Sequence, residues 1–368
     1  MPYFMRKIIP LSVCLMFGFR FCFSQNLTKL EVYLKENNCS INPNELNEKK
    51  DVFKNIMRNK KLFVLGEGAS HNLKMYKPLK AYLIHQFVEN NLKYYFFEGS
   101  RSIAYSYNQY LQEKNITTKY PLLEIYMKPV KTLYEKGLHF EYRGIDMERS
   151  RNFYNSVKDI LRNHKSPEWD AIKVVKEILV DTAYLHHEEN VFLSNQKFFL
   201  NNYKIWKKDF YRDSVKIKHI LAEGEYKKLK YLLSNNQTNH PLANRNLGMA
   251  ENLLGEIFTN DTTEKYFLSI GIAHSMPNDK GSVVEIINRS EKLNNKMVVM
   301  NVYCDSCKIN GVSTDDRSLR FMNDPKIKAI FNTLSVNSFT IFDLSNIPPE
   351  FNYLKEYGDL ILYTKHQE

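Results

Sequence analysis

The stretch Lys61-Leu62-Phe63-Val64-Leu65-Gly66-Glu67-Gly68-Ala69-Ser70-His71 decides the fold. It joins an apolar run of strand length to a glycine-bearing loop that carries a carboxylate and an imidazole. A run that is apolar at every position, rather than at alternate ones, belongs to a strand covered on both faces, as in a parallel sheet. A helix is expected next, from Lys74 to Asn90, because Tyr76, Leu79, Leu83 and Phe87 recur at helical spacing.

The same grammar then repeats. Tyr94 to Phe97 reads as a second strand that ends in Glu98, helices follow from Arg101 to Gln112 and from Leu122 to Lys136, and His139 to Ile145 reads as a strand that ends in Asp146. Further strands are expected at Tyr266 to Ile272, which ends at His274, and at Met297 to Tyr303, Ser338 to Leu344 and Leu360 to Thr364. The expected class is therefore α/β, a mostly parallel central sheet flanked by helices with right-handed crossovers. In such a sheet the carboxyl ends of the strands share one edge, where ligands bind. Glu67, His71, Glu98, Asp146 and His274 would meet there. Two histidines and three carboxylates point to proton transfer to and from water. No Gly-x-Ser-x-Gly elbow is present to supply a serine nucleophile.

Outward from this core, the first 25 residues read as a signal peptide. Arg6 and Lys7 precede an apolar stretch from Ile8 to Phe19, and polar Ser24-Gln25-Asn26 follows. Export to the periplasm or exterior is expected, with no membrane span, because the apolar stretch is short and Arg20 interrupts it. The rest divides into an N-terminal α/β part (26–165), a helical insertion (166–240) and a C-terminal α/β part (241–368). Phe192, Phe198, Phe199, Tyr203, Trp206 and Phe210 of the insertion are expected either to roof the cleft or to form ordinary helix core.

The 368-residue chain has a formal charge of +11, which becomes +8 once Arg6, Lys7 and Arg20 are set aside. Its lysines are scattered, and no helix-turn-helix, zinc-finger or RNA-binding signature accompanies them, so nucleic acid is not an expected partner. Cys304-Asp305-Ser306-Cys307 allows a local disulfide or a pairing of one member with Cys39. The adjacent His186 and His187 point about 100° apart on a helix, which is poor geometry for one metal ion.

Taken together, Leu65-Gly66-Glu67 through His71, Leu79-Lys80-Ala81-Tyr82-Leu83-Ile84, Glu98, Gly144-Ile145-Asp146-Met147, Met249-Ala250-Glu251-Asn252-Leu253 and Ala273-His274 resemble the erythromycin esterase family. The resemblance covers roughly Leu62 to His274. It implies metal-independent and cofactor-free hydrolysis of a small-molecule ester or lactone, a macrolide among the candidates. By the same resemblance His71 is the general base and Glu67 its carboxylate partner, with Glu98, Arg245 and His274 as further catalytic residues. Lys80 stands where the family carries arginine, and either cation would steady an oxyanion. One extra residue separates Glu67 from His71, and Pro277 stands where the family has a second histidine.

Read without the family, the same residues give a histidine that takes a proton from water while Glu67 or Asp146 holds its other ring nitrogen. Arg245 and Asn252, seven apart on a helix, share a face and would meet the substrate with Asp146. The bland alternatives are a Glu67–Arg245 structural ion pair, and Glu98 and Asp146 as helix caps. Two other functional classes stay open. One is a metal-dependent hydrolase built on the same histidines and carboxylates; the other is a ligand-binding protein without turnover.

Overall fold

The structure, a computed structural model, describes residues 27–46, 49–68, 75–88, 91–113, 121–163, 173–180, 192–236, 242–258, 264–305, 308–309, 312–313, 324–336 and 339–365. Its framework is an eight-stranded sheet. In chain order the strands are β1 (Asn38–Ile41), β2 (Leu62–Glu67), β3 (Leu92–Phe97), β4 (Glu141–Gly144), β5 (Lys265–Gly271), β6 (Met297–Asp305), a small hairpin of β7 (Lys308–Ile309) and β8 (Val312–Ser313), β9 (Phe339–Asp343) and β10 (Leu360–Lys365). The spatial order is β1-β9-β10-β6-β2-β5-β3-β4. From β10 to β4 every neighbouring pair is parallel, and the two pairs made by β9 are antiparallel.

The continuous apolar reading of β2 holds, since all six of its residues are buried. It lies at the centre of the sheet between β5 and β6, and helices cover both faces. On one face Phe63, Phe87 and Phe267 pack with ring centroids 4.7 to 5.9 Å apart. On the other, Met249, Leu253 and Ile257 of the helix Leu242–Phe258 meet Val64, Leu268 and Ile270. The helices Tyr76–Val88, Arg101–Gln112 and Pro121–Glu135 stand where the sequence pattern places them, within two residues at each end. The strand β1 is absent from the sequence reading: its four residues, Asn-Cys-Ser-Ile, carry no alternation long enough to register. Cys304, near the end of β6, is disulfide-bonded.

The helices Lys173–Val180, Phe192–Arg212, Ser214–Ile220 and Glu223–Leu233 build a core of their own. It also takes in the helix Ser150–Ile160, so the helical packing starts before residue 166. Phe199, Tyr203 and Trp206 close on Phe153 at 5.6, 5.4 and 6.2 Å between ring centroids. Together with Phe210 these aromatics are spent on that core, as helical spacing on a buried face dictates. The side chains of Phe192 and Phe198 lie outside the described residues. Among the described residues no helix is long and apolar enough to cross a membrane.

Candidate functional site

The parallel strands bring the expected carboxylates to one edge. Glu67 is the last residue of β2, and its side chain is almost wholly buried, with Oε1 2.6 Å from Lys80 Nζ. Lys80 descends from the helix Tyr76–Val88. Burial alone would lower its ammonium, but Glu67 beside it more than offsets this and the Lys80 pKa is raised. The anticipated Glu67–Arg245 pair is therefore replaced by Glu67–Lys80, which two adjacent elements supply.

Arg245, from the first turn of the helix Leu242–Phe258, has a different set of partners. Its Nε donates to Asp146 Oδ1 at 3.0 Å and its Nη2 to Asp146 Oδ2 at 2.7 Å, a bidentate fork. The same Nη2 lies 2.7 Å from Glu98 Oε1. Glu98 Oε2 accepts the backbone N–H of Gly271 at 2.8 Å, which ties the end of β3 to the end of β5. Burial would raise the Glu98 carboxyl, but His274, the Gly271 N–H and Arg245 outweigh it and hold it down at about 2. Neither Glu98 nor Asp146 caps a helix. The cap of the helix Arg101–Gln112 is Ser100, which accepts from Ile103 N–H, while Asp146 Oδ1 accepts from Met147 N–H.

His274 follows β5 on the short helix Ile272–Ser275. Its Nε2 is 3.4 Å from both Glu98 Oε1 and Arg245 Nη1. One ring nitrogen cannot donate to the carboxylate and accept from the guanidinium together. Its buried Nδ1 has no hydrogen-bond partner among the described residues. Behind it, Ser275 Oγ is 2.6 Å from Asn301 Oδ1 of β6. This contact explains Gly66, because a Cβ there would stand 1.7 Å from Asn301 Oδ1 and 2.2 Å from Ser275 Oγ. The glycine between Leu65 and Glu67 is a demand of close packing rather than of backbone conformation.

Glu67, Lys80, Glu98, Asp146 and Arg245 edge a cavity of about 550 Å³. Among the described residues its roof comes from the helices Tyr76–Val88, Arg101–Gln112 and Pro121–Glu135. Phe97, Tyr107 and Tyr142 form one wall, with ring centroids 5.2 to 5.9 Å apart, and Met127 and Val130 continue it. At the base, Tyr95 shares a 2.8 Å hydrogen bond with Ser269, and burial chiefly pushes its hydroxyl up to about 12. His274 stands behind the lining and reaches it through Glu98 and Arg245. Asn252 is also away from it. Its Nδ2 donates to Ile145 O at 2.9 Å and its Oδ1 accepts from Asn236 N–H at 2.8 Å, which locks the helix onto the loop after β4. His71 lies outside the described residues.

The sequence reading missed Glu148. Fully buried two residues beyond Asp146, it accepts from Ser102 Oγ at 2.5 Å and from Asn235 Nδ2 at 3.3 Å. Burial raises its carboxyl to about 7, against the lowering pull of Ser102, Asn235 and Arg101. The aromatic wall was missed too. Its tyrosines sit on separate elements, and only the sheet order brings them together. Among the described residues no three His, Cys, Asp or Glu side chains gather as a metal site. Between Glu98 and Asp146 the local cation is the Arg245 guanidinium.

The sequence matches no family profile and has no significant match among curated proteins. Its fold is similar to that of a protein from Bacillus cereus, with a TM-score of 0.68 at 11% identity, over 93% of this chain and 98% of the other. It is similar to a succinoglycan biosynthesis protein, with a TM-score of 0.62 at 13% identity over 94% and 97% of the two chains. A histidine-to-asparagine mutant of an erythromycin esterase in its open conformation gives a TM-score of 0.54 at 13% identity, over 88% of this chain and 94% of that one. At such identities the relationship is one of fold, on which sites of many chemistries are built.

Proposed function

We propose that this chain is a hydrolase of carboxylic esters or lactones, acting in the cavity at the carboxyl edge of the sheet. The observation that carries the reading is the convergence of Glu67, Lys80, Glu98, Asp146 and Arg245, from four separate stretches of chain, on one cavity beside an aromatic wall. The fold shared with an erythromycin esterase adds support at the level of architecture.

In the proposed reaction His71 takes a proton from water as the hydroxide attacks the acyl carbon. The tetrahedral oxyanion forms between two cations, Arg245 and Lys80, fixed in advance by their carboxylates. Collapse breaks the C–O bond, and the proton held on His71 passes to the leaving alkoxide, which gives an acid and an alcohol. His274 acts through Glu98 and Arg245, keeping the guanidinium aimed at the cavity. We further propose that the chain is exported after cleavage near residue 25, on the strength of the Arg6-Lys7 start and the apolar run that follows.

The test is hydrolysis of a panel of macrolides, simple lactones and aryl esters by the purified protein, with and without chelator. Chelator-resistant turnover that falls at least ~10³-fold in His71→Ala is the expected result. Turnover abolished by chelator would replace this reading with a metal-dependent one. Absence of turnover across the panel would leave a binding protein.

A further inference from the structure

The cavity is lined by two hydroxyls that are hydrogen-bonded to each other. Tyr95 Oη and Ser269 Oγ lie 2.8 Å apart, and neither makes another side-chain hydrogen bond among the described residues. A hydroxyl has one hydrogen to give and lone pairs to receive. One bond between two hydroxyls uses one hydrogen, so the pair keeps a second O–H without an acceptor. Both residues are buried, with 2% of Tyr95 and 3% of Ser269 exposed, and a buried donor left unpaired costs free energy. The sheet holds the pair in place. Ser269 interrupts the apolar run of β5, between Leu65 of β2 and Phe97 of β3. Tyr95 pairs with Phe267 two residues earlier, and its ring is packed against Phe267 and Tyr142 at 4.7 and 4.8 Å between centroids. The longer phenol reaches farther from the sheet than the serine, and the charge of Lys80 acts on it from the roof helix. Lys80 already faces Glu67, and Arg245 faces Glu98 and Asp146. The spare hydroxyl hydrogen faces no carboxylate.

From this arrangement we infer that Tyr95 and Ser269 form an uncharged subsite for a carbonyl oxygen: Ser269 donates to Tyr95 Oη, and Tyr95 donates to the oxygen of a ligand whose aromatic or apolar body lies on the Phe97–Tyr107–Tyr142 wall. The hydrogen bond that the phenol receives and the field of Lys80 both polarise its O–H as a donor. Burial pushes the Tyr95 hydroxyl up to about 12, against the lowering pull of Lys80 and Ser269, so it keeps its proton and gives only a hydrogen bond. A wall of three interlocked rings offers an aromatic body both area and edge-to-face contacts. Applied to catalysis, the oxygen is that of the ester carbonyl, and Tyr95 becomes a catalytic residue that donates to the oxyanion beside Lys80 and Arg245; that part rests on the hydrolase reading above. Ser269 is then a positioning residue, acting through Tyr95.

Binding and turnover test this separately. In titrations, acetophenone is expected to bind about 2–10-fold more tightly than α-methylstyrene, which has the same shape with a methylene group in place of the oxygen. Tyr95→Phe keeps the ring and its packing while removing the hydroxyl. It is expected to bring that ratio toward one and to raise the infrared carbonyl stretching frequency of bound, isotope-labelled acetophenone, while Ser269→Ala retains part of the preference. In hydrolysis of 4-nitrophenyl butyrate, Tyr95→Phe is expected to lower kcat ~10²-fold with little change in KM, and Ser269→Ala to lower it ~10-fold or less. Failure of acetophenone to bind, equal affinity for the two probes, or a carbonyl stretch indifferent to Tyr95→Phe overturns the subsite even when the ester is cleaved. A kcat unchanged in Tyr95→Phe overturns its part in catalysis. Tyr95-dependent binding of acetophenone with no ester cleaved upholds the subsite and refutes the hydrolase reading instead.

Discussion

Two arginine clusters flank β3 and β4, and they use one chemistry to different ends. In the first, Arg245 serves two carboxylates and a histidine, and its guanidinium looks into the cavity. In the second, Arg101 and Arg143 share one carboxylate, Glu256, at 3.1 and 3.8 Å. Both stack on the ring of Tyr231, with Cζ 4.9 and 4.6 Å from its centroid. Arg101 also donates to Ser234 and to Tyr231 O, so the cluster bolts the helix Glu223–Leu233 to the sheet. Both sets of ions are largely buried, and the first lines the cavity of about 550 Å³. The same ion-pair chemistry lines a cavity in one place and joins elements in the other.

The sharpest way to break the comparison is to remove one arginine from each cluster. Arg245→Leu strands two carboxylates, and is expected to cost ~10³-fold in kcat/KM and about 3–5 kcal/mol of stability. Arg245→Lys is expected to recover most of the stability while kcat/KM stays ~10²-fold down, because an ammonium does not reproduce the fork to Asp146. Denaturant melts alongside hydrolysis rates check both variants. Arg101→Leu is expected to cost about 3–5 kcal/mol in the same melts. Its hydrolysis rate per folded molecule is expected to stay within about twofold, and a large loss there would erase the distinction between the clusters.

Glu148 lies between the two, hydrogen-bonded to Ser102 beside Arg101 and two residues from Asp146. Because burial raises its carboxyl from 4.5 to about 7, the folded chain keeps a proton across that window that the unfolded chain has released. Stability attributable to this group therefore falls as pH rises from 4.5 through 7, by about 3 kcal/mol in all. Glu148→Gln, neutral at every pH, is expected to flatten the curve and to exceed the parent chain in urea melts at pH 8. Parallel curves for the two proteins would show that Glu148 ionises in its pocket as it does in water.

How much of this was legible in the sequence follows from which interactions are local. Strands β2, β3 and β5 announce themselves by apolar runs, and a parallel sheet gathers their ends whatever its order, so the positions of Glu67, Glu98 and Asp146 could be read. Their partners could not. Lys80 and Arg245 are both cations on helices that face the same edge, and only the path of the chain decides which carboxylate each one meets. The packing of the insertion's aromatics stayed open in the sequence for a related reason: a stripe such as Phe199, Tyr203, Trp206 and Phe210 looks the same whether it faces a ligand or its own neighbours. Glu148 gave no signal, since nothing in Asp146-Met147-Glu148 separates a surface acid from a buried one.

The placing of β5 between β2 and β3 has a further consequence for how the chain comes into being. As the polypeptide leaves the ribosome, β2 and β3 emerge early yet have no direct partnership to form. The strand that joins them ends at Gly271, more than 170 residues after Phe97. Loop closure over that span is slow, and until it happens the apolar edges of both strands remain uncovered. The cavity, which Arg245 and Ser269 help to line, is therefore complete only once the chain has emerged past β5.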